Sequence, residues 1–458
     1  MADPLALLQQ RGTDWLMVDG RDRLLDLVEL RLREIQQHDR ESLPRILLAA
    51  ADPVQFVAGF LAASSACSPV FLCNPHWAAP EWQQILPLIQ PDLVWTDYNA
   101  TAIDPVPSAP HPAPPVPPGT ILIPTGGSSG QIRFAIHTWE TLLASVTGFR
   151  KYFQLQQVHS LCVLPLYHVS GLMQVMRSFI SGGTLLVQPF KTLLTDPGAM
   201  LNPEAFFISL VPTQLQRSLE QEGLPGLLSR FQAILLGGGP AWPELLAQAR
   251  QLQLPLAPTY GMTETASQVA TLKPSDFLAG SNSCGRVLPQ AHIQILDPDG
   301  KPLEPGQTGT IVLQSQSLAL GYYPQLWPTR HFQTDDLGYF DATGYLHVVG
   351  RSSDKIITGG ENVFPVEVEA VLRKTGLVRD VCVIGIPEQH WGEVVCAFYV
   401  PTESTVSQQQ LKAAIAPQLS PFKQPKHWVA LAELPRNPQG KLDRNVLRQM
   451  PKIPSEPD

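Results

Sequence analysis

The sequence predicts a large N-terminal α/β domain, with β-sheets and covering helices, followed by a small α+β domain. Early in the chain, short apolar runs that suit buried strands alternate with helical patterns, which is typical of a parallel sheet covered on both faces. From Gly309 the pattern changes to short strands separated by turn signals. After residue 350, a helix and several strands fill about a hundred residues, a length that can fold independently. We therefore place a domain boundary near residue 350.

The composition excludes several classes of protein. A chain of 458 residues with 44% hydrophobic and 16% charged residues can form large cores and is not intrinsically disordered. The net charge of −8 gives no nucleic-acid footprint. No apolar run is long enough to span a membrane, and the first residues lack a signal pattern, which predicts a cytoplasmic location. The 6 cysteines form no Cys-x-x-Cys pair, so we expect buried free thiols.

The N-terminal elements follow from periodicity. Residues Leu24–Leu32 have helical spacing, and the apolar run Arg45–Ala50 is expected to be a buried strand. A helix over Pro53–Ala63 and a strand over Pro69–Leu72 repeat the alternation. The proline-rich tract Pro105–Pro118 predicts an extended surface connection.

A glycine- and hydroxyl-rich loop, Thr125–Arg133, lies between the apolar runs Ile121–Ile123 and Phe134–Ile136. Such a loop can turn tightly and point backbone N–H groups and hydroxyls at one anion. It is not a Walker P-loop, because no Gly-Lys-Ser/Thr follows. From these residues alone, an anion site and a plain hairpin turn are equally good interpretations.

The next elements include two residues of interest. Thr138 is expected to cap a helix, and Leu161–Leu164 is expected to be a strand. His168 follows that strand, at a common position for a site in an α/β fold, although a single histidine there is more often structural. Arg177 lies in an apolar run, where it either snorkels to the surface or meets an anion.

Further polar segments are expected to form turns after strands. Gly237–Gly239 follow Ile234–Leu236, and Tyr260–Thr265 follow Leu256–Thr259. Bare glycine backbone can lie against a flat ligand, a tyrosine ring can cover a base, and a glutamate can hold Mg²⁺. The adjacent carboxylates Asp335–Asp336 suit either ribose hydroxyls or a turn.

The C-terminal part has its own set of elements. A helix is expected to begin at Pro365 and to end near Gly376. Lys441 lies in a proline- and glycine-rich segment, where on its own it suits a solvated surface position. The remaining predicted elements are strands at 379–386 and 393–400, a helix at 407–418 and a strand at 427–433.

Together these motifs resemble those of the adenylate-forming superfamily of acyl-CoA synthetases, luciferase-like ligases and peptide-synthetase adenylation domains. Thr125–Arg133 resembles its phosphate loop, and Tyr260–Glu264 closely matches its Tyr-Gly-x-Thr-Glu motif. Thr334–Gly338 is similar to its Thr-Gly-Asp-Leu-Gly motif. Gly350–Ile357 is similar to its hinge motif, and Pro435–Arg444 to its C-terminal Gly-Lys motif.

The resemblance implies ATP, Mg²⁺ and coenzyme A as co-substrates and metal, and a small domain that moves. The implied domains are 1–350 for ATP and the acyl substrate, a hinge at 351–354 and a mobile domain at 355–458. The residues carried over by motif are, as catalytic groups, Lys441, Glu264 (also the metal ligand), Thr263 and His168; for ATP, Thr125, Ser128, Ser129, Gly130, Arg133, Gly238, Gly239, Tyr260, Asp336 and Arg351; for the CoA tunnel, Gly359 and Gly360; and for the hinge, Ser353.

Within the superfamily, Ile136–Thr138 and Gly359–Pro365 most resemble the 2-succinylbenzoate–CoA ligases of menaquinone and phylloquinone biosynthesis. The resemblance implies ligation of 2-succinylbenzoate to CoA through an acyl-adenylate, with release of AMP and pyrophosphate. This acid has a second carboxylate and a keto group, so we predict that Arg177 donates to it, with Ser170 nearby and His168 lining the acyl pocket. Two alternatives stay open: a CoA ligase for another aryl or fatty acid, and a non-catalytic nucleotide- or carrier-binding module. The expected partners are small molecules, and a homo-oligomer is left open.

Four positions depart from the family pattern. Arg133 stands where lysine is usual, and arginine keeps the charge and adds a bidentate fork. Gly126 replaces a usual serine, and Asp335 replaces the usual glycine before the expected ribose ligand. Ser353 stands at a hinge position that is often Asp or Lys.

Overall fold

A computed structural model of the chain describes residues 3–38, 42–97, 114–126, 131–195, 202–436 and 442–450. The strands, in chain order, are β1 (Leu16–Met17), β2 (Ile46–Ala49), β3 (Val70–Leu72), β4 (Leu93–Thr96), β5 (Thr120–Gly126), β6 (Ile132–Thr138), β7 (His159–Cys162), β8 (Leu185–Val187), β9 (Phe206–Leu210), β10 (Ala233–Leu236), β11 (Leu256–Met262), β12 (Ser267–Thr271), β13 (Arg286–Val287), β14 (Ala291–Leu296), β15 (Gly309–Ser315), β16 (Gly321–Tyr322), β17 (Gln325–Leu326), β18 (His331–Phe340), β19 (Leu346–Arg351), β20 (Ile356–Thr358), β21 (Glu361–Val363), β22 (Val378–Glu388), β23 (Gly392–Pro401) and β24 (His427–Ala430). The α-helices are α1 (Pro4–Arg11), α2 (Leu24–Gln37), α3 (Pro53–Ser65), α4 (Ala79–Ile89), α5 (Trp139–Phe153), α6 (Val169–Ser181), α7 (Phe190–Thr195), α8 (Pro212–Glu220), α9 (Leu224–Leu228), α10 (Pro243–Gln251), α11 (Pro274–Leu278), α12 (Pro365–Lys374), α13 (Gln408–Ile415) and α14 (Arg444–Gln449).

Two large sheets form the body of the fold. The first has the strand order β1-β8-β7-β9-β10-β11-β12-β13, and is parallel from β1 to β11. The second has the order β17-β16-β6-β5-β3-β2-β4, with β4, β2, β3 and β5 parallel. The predicted alternation of strands and helices and the predicted parallel sheets are therefore confirmed.

Helices fill the space between the two sheets. Helix α3 is buried at every position from Val54 to Ala63, and it shares one core with α2, α5 and α6 and with residues of both sheets. Asp52 caps its N-terminus by accepting from the backbone N–H groups of Val54 and Gln55, and Pro53 occupies the first turn. A helix that is apolar all round is stable only when enclosed, which explains its central position.

The later strands form an antiparallel sheet and a separate small sheet. The antiparallel sheet has the order β14-β15-β18-β19. The small sheet has the order β21-β20-β23-β22, with β24 parallel to β23, and α12 and α13 share its core. The helix and strands expected after Pro365 are confirmed to within a few residues.

Some expectations need correction. The strand that begins at Leu256 does not end at Thr259, because β11 continues through Tyr260 to Met262 and pairs with β12. A β-bulge at Tyr260 and Gly261 redirects the strand there, so this part of the motif is extended and not a turn. Asp335 and Asp336 likewise lie within β18, not in a turn.

Two other sequence features have mixed outcomes. All 6 cysteines are free, as expected, but Cys67 is exposed and Cys284 is only partly buried. Most of the proline-rich tract lies outside the described residues, which resume at residue 114. In the portion of the chain that the structure describes, no helix has the length and apolar character needed to cross a bilayer.

Candidate active site

The glycine loop is the connection of a β-hairpin. Strands β5 and β6 pair antiparallel up to Thr125 opposite Arg133 and Gly126 opposite Ile132. The two flanking strands therefore form a hairpin, and the anion-binding role of the loop's hydroxyls stays a prediction. Ser128, Ser129 and Gly130, which we expected to hold phosphates, lie outside the described residues.

Glu264 lies at the point where this hairpin meets the end of β11. It sits in a single 3-10 turn, Thr263–Thr265, and its residue exposure is only 7%. Its Oε1 accepts a hydrogen bond from the Tyr322 hydroxyl at 2.5 Å and one from the Thr125 hydroxyl at 3.5 Å. The Arg133 guanidinium lies 4.2 Å from the centre of the Tyr322 ring. The structure therefore brings Thr125, Arg133 and Glu264 together through Tyr322.

The surroundings of Glu264 fit a magnesium ion that is shared with a bound phosphate. Among the described residues, hydrogen bonds to its carboxylate reach Oε1 only, which leaves Oε2 for a ligand. The described chain contains no group of three or more His, Cys, Asp and Glu side chains that could hold a metal by itself. Mg²⁺ commonly keeps several waters and binds one or two carboxylates together with substrate phosphates, so one buried carboxylate is a suitable protein contribution.

His137 fixes the turn that carries Thr263 and Glu264. Its ring is fully buried, with Nε2 2.8 Å from the Thr263 carbonyl oxygen and Nδ1 3.0 Å from the Thr141 hydroxyl. Burial lowers the pKa of His137 to about 4, so the ring is neutral at physiological pH. Because a carbonyl only accepts, Nε2 carries the proton and donates to Thr263, which leaves Nδ1 as an acceptor beside the Thr141 hydroxyl.

The backbone just after this turn is strained. Ala266 and Ser267 have φ angles of 49° and 86°, a region that residues with a side chain seldom adopt. The Ser145 hydroxyl donates to the Ala266 carbonyl at 2.6 Å, and the Ser317 hydroxyl donates to the Thr265 carbonyl at 2.9 Å. Such conformations persist only where neighbours hold them, and they concentrate at functional sites.

A second cluster joins β11 to the antiparallel sheet. The Tyr260 hydroxyl donates to Asp336 Oδ2 at 2.7 Å, and Arg351 Nε lies 3.5 Å from Asp336 Oδ1. The pairing of β18 with β19 places Asp336 directly opposite Arg351. Burial and the Asp336 charge raise the pKa of Tyr260, so its phenol stays protonated and donates. Three of the residues expected at the nucleoside thus lie within one cluster.

The glycines after β10 lie beside this cluster. A side chain at Gly237 would come within 2.5 Å of the Thr259 hydroxyl, which shows how closely this turn approaches the residue before Tyr260. Gly238 has a φ of 82°, which favours glycine, and Gly239 has open space at its Cβ position. This leaves a bare backbone surface near Tyr260, at the end of a parallel strand, where ligands bind in such sheets.

Arg177 is buried and does not snorkel. It is 2% exposed and lies on α6, where its Nη2 donates to Gln268 Oε1 at 3.0 Å and to the Ser267 hydroxyl at 3.1 Å. Its guanidinium carbon lies 4.4 Å from the centre of the Phe149 ring. No described carboxylate pairs with it, and burial lowers its pKa to about 9. It is therefore still a cation at neutral pH, next to the strained Ser267.

Arg177, its partner Gln268 and Gln174, three residues earlier on α6, each carry an unsatisfied polar atom. Among the described residues, Arg177 Nε, Gln268 Nε2 and Gln174 Oε1 are buried without a hydrogen-bond partner. Buried polar atoms are nearly always paired, so this group points to a polar ligand or water. Ser170 is seven residues before Arg177, which puts both on one face of α6 about 10 Å apart along its axis. His168 is the residue before that helix, and the centre of its ring lies 4.5 Å from the centre of the Tyr167 ring.

The remaining expected residues come after β19 in the chain. Gly359 and Gly360 form the two-residue connection between β20 and β21, with φ angles of 58° and 85°, and Trp391 packs against Gly359. Lys441 lies outside the described residues. Ser353 follows β19, and both its backbone N–H and its hydroxyl donate to the carboxylate of Asp335.

Arg444, one of the described residues after Lys441, pairs with α12 and with Asp354, which lies in the segment expected to be the hinge. Arg444 Nη2 lies 3.1 Å from Glu369 Oε1, and its Nη1 lies 3.6 Å from Asp354 Oδ2. The Arg373 guanidinium of α12 lies 4.6 Å from the centre of the Trp242 ring, which precedes α10. This cation–π pair is one of the contacts between α12 and the region of α10.

Sequence profiles of known families match two parts of the chain. The AMP-binding enzyme family matches residues 95–323, and the AMP-binding enzyme C-terminal domain family matches residues 367–441. The chain belongs to the AMP-binding enzymes, the adenylate-forming superfamily whose motifs it carries.

The relatives and solved structures are more specific. A 2-succinylbenzoate–CoA ligase of Geobacillus sp. (strain WCH70) is 35% identical over 334 residues, which cover 71% of this chain and 68% of the relative. That of Listeria monocytogenes serovar 1/2a is 35% identical over 332 residues, with coverage of 71% and 68%. The Bacillus subtilis o-succinylbenzoate CoA synthetase (MenE) in complex with its acyl-adenylate intermediate OSB-AMP is 26% identical, with a TM-score of 0.83 and coverage of 98% of both chains. ATP-bound MatB of Rhodopseudomonas palustris, at 21% identity, shows the same fold, with a TM-score of 0.82 and coverage of 98% of both chains.

Several residues at these clusters were missed by sequence reasoning. Tyr322 contacts Glu264, Gln268 contacts Arg177, and Gln174 precedes Arg177 by three residues on α6, yet none of the three belongs to the motifs described above. His137 entered only as part of a subfamily pattern, without a role. The polar character of Gln174 in an apolar stretch of α6 is a sequence signal for this cluster.

Proposed function

We propose that this enzyme ligates 2-succinylbenzoate to coenzyme A in two half-reactions at one site. The acid's carboxylate attacks the α-phosphate of ATP, giving an acyl-adenylate and pyrophosphate. The CoA thiol then attacks the acyl carbon and releases AMP. We place the reaction in the cytoplasm, where ATP and CoA are available.

The buried cation Arg177 is the observation that carries the choice of acid. A fatty-acid pocket needs no buried cation, whereas 2-succinylbenzoate has a second carboxylate that must be neutralised when it is buried. Arg177 offers an unused Nε donor, and Gln268 offers an unused Nε2 donor beside it. An arginine can hold a carboxylate with two parallel hydrogen bonds. Ser170 and His168 would line the same pocket nearer the start of α6.

The residues of the first half-reaction act by charge neutralisation and positioning. Thr125 and Arg133, with Ser128, Ser129 and Gly130, would hold the β- and γ-phosphates, and Thr263 would hold the α-phosphate. Glu264 would bind Mg²⁺, which neutralises phosphate charge when it is bound. The nucleoside would lie on Gly238, Gly239 and Tyr260, with its ribose hydroxyls on Asp336 and Arg351.

The second half-reaction needs a rearrangement of the small domain, for which we propose the boundaries 1–350, 351–354 and 355–458. Lys441 would bridge the carboxylate and the α-phosphate during adenylation. Rotation about Ser353 would then remove Lys441 and bring Gly359 and Gly360 to the CoA tunnel.

A panel of carboxylic acids tests the assignment. Pyrophosphate release is measured for 2-succinylbenzoate, benzoate, other aryl acids and fatty acids, with and without CoA. We expect release with 2-succinylbenzoate and formation of its CoA thioester. Preference for an acid with one carboxylate would contradict the choice of substrate, and no release with any acid would favour a non-catalytic nucleotide-binding module.

A further inference from the structure

Tyr322 occupies the junction between the two halves of the candidate phosphate site. Strand β16 pairs with the edge of β6 through Tyr322 opposite Ala135. Its neighbourhood is also fastened to the motif turn, because the Ala319 N–H donates to the Glu264 carbonyl at 2.7 Å. The Leu320 N–H donates to the Ile136 carbonyl at 2.8 Å. This segment therefore holds Tyr322 at a fixed position relative to both the hairpin and Glu264.

The side chain of Tyr322 makes two different contacts with charged groups. Its hydroxyl donates to Glu264 Oε1 at 2.5 Å, and its ring face receives the Arg133 guanidinium at 4.2 Å. A carboxylate oxygen can only accept, so the hydroxyl is the donor in this contact. The ring is a platform that suits a planar guanidinium better than the ammonium of a lysine.

We propose that Tyr322 is a positioning residue that aligns Glu264 for the metal ion and Arg133 for the phosphates of ATP. Its hydroxyl fixes Oε1 and so directs Oε2 toward the site. Its ring holds the guanidinium near the same place before ATP arrives. The inference rests on the proposed roles of Glu264 and Arg133, and it also explains why an arginine is accommodated where relatives usually carry lysine.

The adjacent Tyr323 provides a matched control. Its hydroxyl donates to the Pro114 carbonyl at 2.8 Å, and its ring packs edge-on against Phe71, within the core on the other face of the second sheet. Tyr322 and Tyr323 are therefore neighbouring tyrosines that each donate one hydrogen bond, but only Tyr322 contacts the candidate site. Replacing each by phenylalanine removes one hydroxyl and leaves the ring.

The test measures ATP binding by calorimetry over a range of Mg²⁺ concentrations, with no acid present. For Tyr322→Phe we expect the Mg²⁺ concentration at half-saturation to rise about tenfold or more, since hydrogen bonds to charged groups are among the stronger ones. Tyr323→Phe is expected to leave it unchanged. Tyr322→Leu, which also removes the ring, is expected to weaken ATP binding further, even at saturating Mg²⁺. Thermal unfolding of each variant shows whether the fold is retained.

Each result decides a separate point. An unchanged Mg²⁺ dependence in Tyr322→Phe, or an equal shift in Tyr323→Phe, would overturn the proposal. Equal ATP affinity of the Leu and Phe variants at saturating Mg²⁺ would overturn the part that concerns Arg133. Because no acid is present, a wild-type protein that binds ATP with Mg²⁺ but does not activate 2-succinylbenzoate would contradict the proposed function only.

Discussion

Replacing Arg177 by methionine distinguishes a substrate-binding arginine from a structural one. Burial lowers the pKa of Arg177 from 12.5 to about 9, which corresponds to about 5 kcal/mol against the charged form. The group is protonated at pH 7 in both the folded and the unfolded chain. The penalty is therefore fully present at pH 7, and it is relieved only as the pH rises above the folded pKa of about 9.

Methionine removes this penalty and retains most of the side-chain volume. It also leaves Ser267 and Gln268 without their donor, at roughly 1–3 kcal/mol each. The net change in the free energy of unfolding is expected between about 1 kcal/mol of loss and about 3 kcal/mol of gain. By contrast, removing one partner of a buried ion pair costs about 3–5 kcal/mol. The expected result for Arg177→Met is therefore a thermal midpoint that is raised or at most slightly lowered.

The kinetic effect is expected to run in the opposite direction. Without the cation, the second carboxylate of 2-succinylbenzoate is buried unpaired, so its KM in pyrophosphate release is expected to rise about 100-fold, with little change for an acid that has one carboxylate. Arg11→Met is the matched control, because Arg11 donates to the carbonyls of Ser178, Phe179 and Gly183 at the end of the same helix. It is expected to lower the thermal midpoint and leave KM unchanged. A destabilised Arg177→Met variant with a normal KM would refute the assignment.

Three further predictions concern the turn, the lysine and the hinge. Because the pKa of His137 is about 4 in the folded chain, the protein loses stability as the pH falls below the unfolded pKa of 6.5. His137→Gln should remove about 2 kcal/mol of that loss between pH 7.5 and 5, as measured by urea unfolding of both proteins. An identical pH dependence of the two proteins would contradict this prediction. Lys441→Ala should abolish adenylation but retain thioesterification of supplied acyl-adenylate, and equal loss of both would contradict the two-state scheme. Asp335→Gly removes the acceptor of both Ser353 hydrogen bonds. It should therefore change the ratio of the thioesterification rate to the adenylation rate in single-turnover measurements. An unchanged ratio would show that this contact does not influence the proposed rotation of the small domain.

The elements of the fold were predictable because their signals are local. The run Arg45–Ala50 and the capped helix after Asp52 each carry their own pattern of apolar spacing and caps, and the structure has both within a residue or two. Tyr260 shows the limit of this approach. The segment was expected to be a turn, but the pairing of β11 with β12 extends the strand through Tyr260. The propensities of single residues do not show which strands will pair.

The contacts within the candidate site were not predictable from spacing. Tyr322 and Glu264 are 58 positions apart, and Arg177 and Gln268 are 91 apart, so only the sheet topology brings them together. Sequence alone left Arg177 with two interpretations, and its 2% exposure excludes snorkelling. The motifs predicted which residues bind ATP and the metal ion. The structure added the residues that contact those motif residues and hold their side chains in place.

Three of the residues that depart from the family pattern make contacts that explain them: Asp335 with Ser353, and Arg133 with Tyr322. The carboxylate of Asp335 would repel an aspartate at position 353. A glycine at position 335 would give Ser353 no side-chain acceptor. With Asp335 and Ser353 together, the serine hydroxyl and backbone N–H both donate to the carboxylate, so each departure suits the other. Arg133 is related to Tyr322 in a similar way, because its flat guanidinium can lie on the ring. A substitution that looks unfavourable when it is compared one position at a time is therefore better judged together with the residue that it contacts.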